Sequence, residues 1–303
     1  MGLLDDAAVL RPPEGEELVV TADALVAGVH FLPDTPPDLV ARKLLRANLS
    51  DLAAKAAEPW LWWLTVAWPD TCTAADRQRF AGGLAEDQAR FGLRLAGGDT
   101  VRTPGPLTVS ATLIGRAPVG GTVRRGGARP GDALLVSGAI GDAGLGLAVL
   151  TGRLAPRADD AALMVARHQS PEPRLELRQA LRAHATAAAD VSDGLLADAG
   201  RIAAASGVCL TVELDGVPLS PATERWLASQ PDRTAALVQL ATSGDDYEVV
   251  CTCRPEQVDA FVQAAARAGA PLSRIGEVIA GAGVRTLHRG APVAPERLGW
   301  AHR

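Results

Sequence analysis

The chain has 303 residues, of which 48% are hydrophobic, and a formal net charge of −5 at pH 7. This length is about twice that of an average domain, so we expect two domains. The negative charge and the absence of a Lys/Arg-rich run argue against a nucleic-acid-binding protein. No stretch reaches the roughly 18 uninterrupted apolar residues that a membrane span needs, so we expect no membrane anchor.

The N-terminus and the cysteines indicate a cytoplasmic protein. Residues 1–6 have neither the basic region nor the apolar region of a secretory signal. Of the four cysteines, only Cys251 and Cys253 are close in sequence, and they share one face of a predicted strand. We expect buried, reduced thiols rather than a metal or redox site.

In the first half of the chain, apolar runs of strand length alternate with amphipathic stretches of helix length. This pattern is typical of an α/β or α+β protein. The predicted strands are residues 18–21, 61–67, 93–96 and 107–116. The predicted helices are residues 37–57 and 73–91, and Thr73 is a suitable N-cap for the second.

A segment rich in Gly, Pro and Arg at residues 120–132 predicts a domain junction. We therefore place one domain at residues 1–130 and another at residues 131–303. The strands predicted in the second domain are residues 133–136, 187–191, 208–214, 247–253, 274–278 and 284–287. Its predicted helices begin at Leu145, Ala161 and Arg174 or span residues 195–206 and 255–268.

Several aspartates stand where an apolar strand is expected to give way to a turn. They are Asp23, Asp99, Asp190 and Asp193, and Asp5, Asp6 and Asp51 could join them. Strand ends in open α/β folds line a common crevice, so these carboxylates can converge there. Clustered carboxylates need cations, and Mg²⁺ prefers carboxylate and phosphate oxygens. Each aspartate alone is more simply a helix cap or turn residue, but the set predicts a site for a magnesium-bound nucleotide.

Other nucleotide-binding motifs are absent. The sequence has no Gly-Lys dipeptide, which excludes a P-loop, and no His-Arg-Asp or Asp-Phe-Gly of protein kinases. The glycines at residues 141–146 lack the order of a dinucleotide-binding loop, so we interpret them as a turn and a helix start.

An ordered set of segments resembles the thiamine-monophosphate kinase family over nearly the whole chain. The segments are DDAAVL at 5–10, ADALVAGVHF at 22–31, ANLSDLAA at 47–54, GGDT at 97–100, RGGARPGD at 125–132, DVSDGL at 190–195 and SGDDYE at 243–248. Their order is more specific than any single motif.

The resemblance implies the fold of aminoimidazole ribonucleotide synthetase. In that fold an N-terminal α/β domain, here residues 1–130, binds ATP and Mg²⁺ and pairs its sheet across a homodimer, and an α+β domain follows. The implied reaction transfers the γ-phosphoryl group of ATP to thiamine monophosphate. We expect no general base, because an acceptor phosphate with a second pKa of about 6 is already ionised near neutrality. Several Mg²⁺ ions would instead offset the repulsion between the two polyanions and align an in-line transfer.

The resemblance also implies the site residues, by their positions in the matching motifs. The expected Mg²⁺ ligands are Asp6, Thr21, Asp23, Asp51, Asp99, Asp190 and Asp193. The expected ATP contacts are Gly98, Arg125 and Ser192, and the expected acceptor contacts are His30, Asp245 and Trp300. Alternatives remain open for three of them: His30 could pack at a strand end, Trp300 could seal a C-terminal apolar seam, and a neighbouring arginine could replace Arg125.

The chain departs from the family pattern in three places. Ala22 replaces a hydroxyl residue, and Asp245 replaces a glutamate. Relatives carry an N-terminal helix and a Gly-Ile-Gly lead before the first motif, so we expect either a start downstream of the true one or a shortened nucleotide loop. These departures motivate the alternative of a non-catalytic relative that binds thiamine phosphates or nucleotide. A further alternative is an ATP-dependent enzyme of the same fold with another substrate.

Overall fold

A computed structural model of the chain describes residues 7–300. The chain divides into two compact units. Unit 1 comprises Met1–Leu52 and Ala57–Thr122, and unit 2 comprises Ala53–Ala56 and Val123–Arg303. The predicted junction lies slightly later along the chain, and the assignment of functions to residues 1–130 and 131–303 stays a prediction. Within residues 7–300, no helix combines the length and the apolar character that crossing a membrane requires.

Unit 1 is built on a four-stranded sheet. Its strands are β1 (Glu16–Val26), β2 (Glu58–Pro69), β3 (Arg94–Thr103) and β4 (Thr108–Pro118), and its helices are α1 (Pro37–Ala54) and α2 (Ala74–Phe91). The sheet order is β1-β4-β2-β3. Strand β4 is antiparallel to β1 and β2, whereas β2 and β3 are parallel. The outer strands of the sheet are therefore β1 and β3.

Helix α2 shows how sequence signals fix an element of unit 1. The Thr73 hydroxyl accepts a hydrogen bond from the Asp76 N–H at 3.2 Å, and the Asp76 carboxylate accepts one from the Thr73 N–H at 3.0 Å. This capping box confirms Thr73 as the N-cap. A buried ion pair between Arg46 and Asp87, at 2.6 Å, then joins α1 to α2.

The prediction that Asp23 and Asp99 follow the ends of strands is wrong. Strand β1 continues to Val26 and strand β3 to Thr103. Asp23 pairs with Ala111 of β4, and Asp99 pairs with Thr65 of β2. The apolar run ends at each aspartate, but backbone pairing does not require apolar side chains on an outer strand with one exposed face.

Unit 2 is built on a mixed sheet and a larger set of helices. The strands are β5 (Ala133–Ser137), β6 (Ala185–Val191), β7 (Cys209–Glu213), β8 (Glu248–Cys253), β9 (Leu272–Ile279), β10 (Gly283–His288) and β11 (Ala291–Val293). The helices are α3 (Asp142–Leu150), α4 (Ala158–Gln169), α5 (Arg178–His184), α6 (Leu195–Ser206), α7 (Pro221–Ala228), α8 (Arg233–Ala241) and α9 (Val258–Arg267). The sheet order is β11-β10-β7-β9-β5-β8-β6.

Two adjacent inner strands of unit 2, β5 and β8, are buried along their whole length. Every residue of β5 and β8 is buried, including Cys251 and Cys253. Burial raises the pKa of the Cys253 thiol to about 11, so this thiol stays protonated near neutrality. The prediction of buried thiols is confirmed for this pair, and both cysteines are free.

Helices α7 and α8 were not predicted. The Ser220 hydroxyl accepts a hydrogen bond from the Thr223 N–H at 3.1 Å, and Pro221 occupies the first turn of α7. At α8, the Asp232 carboxylate accepts one from the Ala235 N–H at 3.0 Å. Both cap signals are visible in the sequence. The helices have only 8 and 9 residues, however, which leaves little helical periodicity to detect.

Candidate functional site

Two loops of unit 2 carry three of the predicted site residues, Ser192, Asp193 and Asp245. The first, residues 192–194, connects β6 to α6, and the second, residues 242–247, connects α8 to β8. Main-chain hydrogen bonds of 2.8 Å join them, from the Asp245 N–H to the Ser192 carbonyl and from the Tyr247 N–H to the Val191 carbonyl. The loop positions are therefore fixed largely by the backbone.

The C-terminal segment reaches the first of these loops. The Trp300 N–H donates to the Asp193 carbonyl at 2.8 Å. A Cβ atom at Gly299 would lie 2.3 Å from that same carbonyl oxygen, so this close approach requires glycine. Trp300 is 53% exposed, so about half of its surface is accessible.

The structure thus brings together four of the residues predicted from the sequence. Ser192, Asp193, Asp245 and Trp300 are linked through hydrogen bonds in one region of unit 2. Asp190 belongs to the adjoining strand, as the residue before last in β6, and is 4% exposed. Residues predicted to contact the nucleotide, the metal and the acceptor therefore lie in the same region of unit 2.

Asp198 supports this region and was missed by the sequence analysis. One of its carboxylate oxygens accepts hydrogen bonds from the N–H groups of Ser192 and Asp193, both at 3.0 Å. Asp198 is fully buried, and this burial raises its pKa to about 6 although the Arg201 guanidinium acts in the opposite direction. Arg201 also pairs with the Asp193 carboxylate. An acidic residue in the first turn of a predicted helix was the available signal.

The second loop contains most of the SGDDYE segment, and contacts of Asp246 hold it in place. Asp245 and Tyr247 both adopt left-handed backbone conformations, with φ values of 70° and 51°. Between them, the Asp246 carboxylate accepts a hydrogen bond from the Gly141 N–H at 2.9 Å and a longer one from the Ala143 N–H at 3.4 Å, at the start of α3. Burial raises the pKa of Asp246 well above its usual value.

Glu248, the last residue of the SGDDYE segment, has a structural role. Its carboxylate accepts hydrogen bonds from the Arg174 Nε at 2.6 Å and from the Ser137 hydroxyl at 2.7 Å. A second contact from the Arg174 guanidinium completes a fork-shaped pair. Glu248 is 2% exposed, so the pair anchors the start of β8 inside unit 2.

Arg125 has the environment of an anion-binding residue. Its Nε atom is buried and has no hydrogen-bond partner within residues 7–300. The neighbouring Arg124 and Arg129 are exposed. A buried guanidinium nitrogen with no acceptor fits a phosphate ligand, which favours Arg125 over its neighbours.

A separate group of predicted ligands lies in unit 1. Thr21 and Asp23 share one face of β1, because side chains alternate along a strand. The Thr21 hydroxyl donates to the Asp51 carboxylate of α1 at 2.5 Å, and the Asp23 N–H donates to the Asn48 side chain of α1 at 3.1 Å. Helix α1 therefore presents its polar residues to β1, and the group supplies the hard oxygens that suit Mg²⁺.

Gly98 and Asp99 lie on the opposite outer strand of the unit 1 sheet. Gly98 shares a row with Leu64, Ala111 and Asp23 across the strands. At a strand spacing of about 4.8 Å, this places Gly98 roughly 14 Å from Asp23. A Cβ atom at Gly98 would lie 2.1 Å from the Leu64 carbonyl oxygen, so glycine is required for the approach of β3 to β2.

His30 lies in the turn that follows β1. Its Nδ1 atom accepts a hydrogen bond from the Val26 N–H at 3.0 Å. The adjacent Phe31 is buried, so the apolar packing at this strand end comes from Phe31. With Nδ1 acting as an acceptor, the hydrogen of a neutral imidazole is on Nε2, which can donate to a ligand.

Among the described residues, the predicted metal ligands do not form one cluster. Asp5 and Asp6 lie outside the described residues. Within residues 7–300, no three His, Cys, Asp or Glu side chains form a group that could hold a metal ion. The convergence of the aspartates on one site stays a prediction.

The chain has the two domains of AIR synthase related proteins. The family model for AIR synthase related protein, N-terminal domain, matches residues 4–117, and the model for the C-terminal domain matches residues 129–288. The predicted two-domain fold is confirmed.

Individual relatives show which family of AIR synthase related proteins is most similar to this chain. A thiamine-monophosphate kinase of Caulobacter vibrioides is 55% identical over 302 residues, which cover 100% of this chain and 85% of the relative. The crystal structure of thiamine-monophosphate kinase from Stenotrophomonas maltophilia K279a has a TM-score of 0.86 and 39% identity, and the match covers 97% of this chain and 92% of that one. The structure described as AaThiL complexed with AMPPCP and TMP has a TM-score of 0.84 and 28% identity, covering 95% and 88%. This chain belongs to the thiamine-monophosphate kinase family and is therefore a phosphotransferase.

Proposed function

We propose that this chain transfers the γ-phosphoryl group of ATP to thiamine monophosphate and releases thiamine diphosphate and ADP. The observation that supports this most is the grouping of Ser192, Asp193, Asp245 and Trp300 in unit 2. A related structure that contains AMPPCP and TMP is consistent with the same pair of substrates.

The nucleotide is assigned to Gly98, Arg125 and Ser192. The buried Arg125 Nε lacks an acceptor within the described part of the chain, and a phosphate oxygen would provide one. Arginine suits this role because its planar fork matches phosphate geometry and its charge is permanent.

Mg²⁺ is assigned to Thr21, Asp23 and Asp51 of unit 1 and to Asp190 and Asp193 of unit 2, together with Asp6 and Asp99. When bound, the ions would neutralise the phosphate charges and align the in-line transfer. No side chain needs to remove a proton, because the acceptor phosphate is ionised near neutrality. The role of the protein is to position charged groups.

The acceptor is assigned to His30, Asp245 and Trp300. Thiamine monophosphate combines aromatic rings, a cationic thiazolium and a phosphate. The half-exposed indole of Trp300 can stack on a cationic ring, and the Asp245 carboxylate can attract it. The Nε2–H of His30 can donate to an anionic oxygen.

A homodimer is part of the proposal. The outer strands of the unit 1 sheet expose apolar residues, with Val20 of β1 61% exposed and Val101 of β3 45% exposed. Outer strands with exposed apolar residues are suited to cover by another chain. Val20→Lys should shift the chain toward a monomer in light scattering coupled to size-exclusion chromatography, whereas Val9→Lys should not.

The direct test incubates the purified full chain with ATP, Mg²⁺ and thiamine monophosphate and detects thiamine diphosphate by chromatography. We expect product in proportion to ADP. Binding of thiamine monophosphate without product at any Mg²⁺ concentration would favour the non-catalytic alternative. ADP production that depends on another acceptor, such as a purine ribonucleotide, would favour the alternative of a different substrate.

A further inference from the structure

A buried histidine faces the carboxylate of Asp245. His168 lies in the last turn of α4 and is 5% exposed. Its Nδ1 atom is 3.5 Å from one oxygen of Asp245, and the Tyr247 hydroxyl donates to the other oxygen at 3.1 Å. The Asp245 side chain is therefore flanked on both oxygens.

The position of His168 is fixed by close packing of two helices. At Gly146 of α3, an added Cβ atom would lie 2.1 Å from the Met164 carbonyl and 3.1 Å from the His168 Cβ. The absence of a side chain at Gly146 therefore lets α4 approach α3 closely. This contact places the imidazole deep in unit 2, where a polar group needs a partner.

The backbone of Asp245 is equally constrained. Its φ of 70° lies in the left-handed region, which residues other than glycine rarely adopt. Its N–H is bound to the Ser192 carbonyl at 2.8 Å. Because the backbone is fixed, the direction of the carboxylate depends on the groups around its two oxygens, which include Tyr247 and His168.

We propose that His168 is a positioning residue that directs the Asp245 carboxylate toward the phosphate acceptor. This inference rests on the proposed function, in which Asp245 contacts thiamine monophosphate. A buried imidazole 3.5 Å from one oxygen of the Asp245 carboxylate fixes the orientation of that carboxylate.

The first test compares steady-state kinetics of the full-length wild type with those of His168→Leu and His168→Asn. Leucine removes the polar contact, whereas asparagine places an N–H near the position of Nδ1. For His168→Leu we expect the KM for thiamine monophosphate to rise about tenfold, with kcat and the KM for ATP changed less than about threefold. For His168→Asn we expect all three values to stay within about threefold of the wild type.

A control variant and a double variant distinguish two effects of His168→Leu: loss of the contact that positions Asp245, and loss of packing around residue 168. His184 is a partly buried histidine of α5 that contacts Gln257 at 2.9 Å and lies outside the site, so His184→Leu should leave every kinetic constant unchanged. In an Asp245→Ala background, His168→Leu should produce no further rise in the KM for thiamine monophosphate, because its effect passes through Asp245. An additional rise of the same size in that background would overturn the proposal.

Other results also decide the question. An equal loss of affinity for ATP and thiamine monophosphate in His168→Leu would show a general structural role and refute the inference. If His168→Leu does not fold, His168→Gln replaces it: the amide of glutamine corresponds to Nε2, so His168→Gln should raise the KM while His168→Asn should not. A wild-type chain that neither binds nor phosphorylates thiamine monophosphate would instead refute the proposed function, which keeps the two failures distinct.

Discussion

The two groups of predicted ligands are held in different ways. In unit 2, main-chain hydrogen bonds join Asp245 to Ser192 and Trp300 to Asp193, and the buried Asp198 carboxylate accepts hydrogen bonds from the N–H groups of the first loop. In unit 1, Thr21 and Asp51 meet through their side chains, and Asp99 lies on the far outer strand of the sheet. A ligand side chain in unit 2 can therefore be changed without moving its loop, whereas a change in unit 1 alters the contact that joins α1 to β1.

The largest expected effect is a loss of activity. Measuring it in both units tests whether the predicted ligands of unit 1 and those of unit 2 serve the same reaction. We expect Asp99→Asn in unit 1 and Asp190→Asn in unit 2 each to lower kcat/KM by about 10³-fold or more, because each would remove a proposed metal ligand. Asp70→Asn, at an exposed aspartate outside both groups, is the matched control.

Activity and thermal unfolding should be measured on the same samples. Asp99 is exposed, so the melting temperature of Asp99→Asn should match that of the control. If one of the two variants keeps full activity, the group that contains it does not hold a catalytic metal ion. If Asp190→Asn fails to fold, Asp190 has a structural role on β6.

The next largest effect is on stability and concerns the buried Arg174–Glu248 ion pair, which lies next to the second loop of unit 2. Arg174→Leu leaves Glu248 buried without its ionic partner, and we expect the free energy of unfolding to fall by about 3 kcal/mol or more. Urea denaturation measures this loss. The double variant Arg174→Leu, Glu248→Leu should recover part of it, because no unpaired charge then remains buried. A loss below about 1 kcal/mol in the single variant would mean that water reaches Glu248.

A smaller effect is expected where one carboxylate supports the first loop. Asp198→Asn replaces a charged acceptor of two N–H groups with a neutral one, and we expect a loss of about 1 to 2 kcal/mol in stability. We also expect kcat/KM to fall about tenfold, because Ser192 and Asp193 are held less firmly. Asp215→Asn is a suitable comparison, since Asp215 also accepts a backbone N–H, from Arg289, but lies outside the site. Equal effects in both variants would contradict a specific role for Asp198.

Sequence reasoning succeeded where the signal is local. The N-cap of α2 depends on residues three apart, and helix α6 has the predicted bounds. It was wrong at Asp23 and Asp99, because backbone pairing with β4 and β2 continues the strands beyond their apolar runs.

The residues that support the site could not be found in the same way. Asp198 contacts its targets within a few positions, but its burial depends on the packing of α6. His168 and Asp245 are far apart in sequence, and the close packing of α4 on α3 helps to place His168. The ordered family motifs predicted candidate site residues, whereas the contacts that support these residues depend on tertiary structure.

The smallest expected effect is a change of stability with pH that is due to Asp246 in the second loop of unit 2. Its direction shows whether burial or hydrogen bonding has the larger influence on the pKa of Asp246. Burial raises the pKa of Asp246 well above 3.8, although the N–H groups of Gly141 and Ala143 lower it. Between about pH 4 and this raised pKa, the folded state keeps a proton that the unfolded state has released. The free energy of unfolding should therefore fall as pH rises through this range.

Asp246→Asn removes this titration, so the stability difference between wild type and variant isolates it. We expect the wild type to lose stability relative to Asp246→Asn as pH rises from about 4 through the raised pKa of Asp246. Denaturation at a series of pH values measures the difference. A wild type that gains stability over the variant as pH rises would mean that the two N–H groups at the start of α3 outweigh burial. In that case Asp246 would be a charged anchor of the loop, and the backbone that fixes Asp245 would depend on its charge.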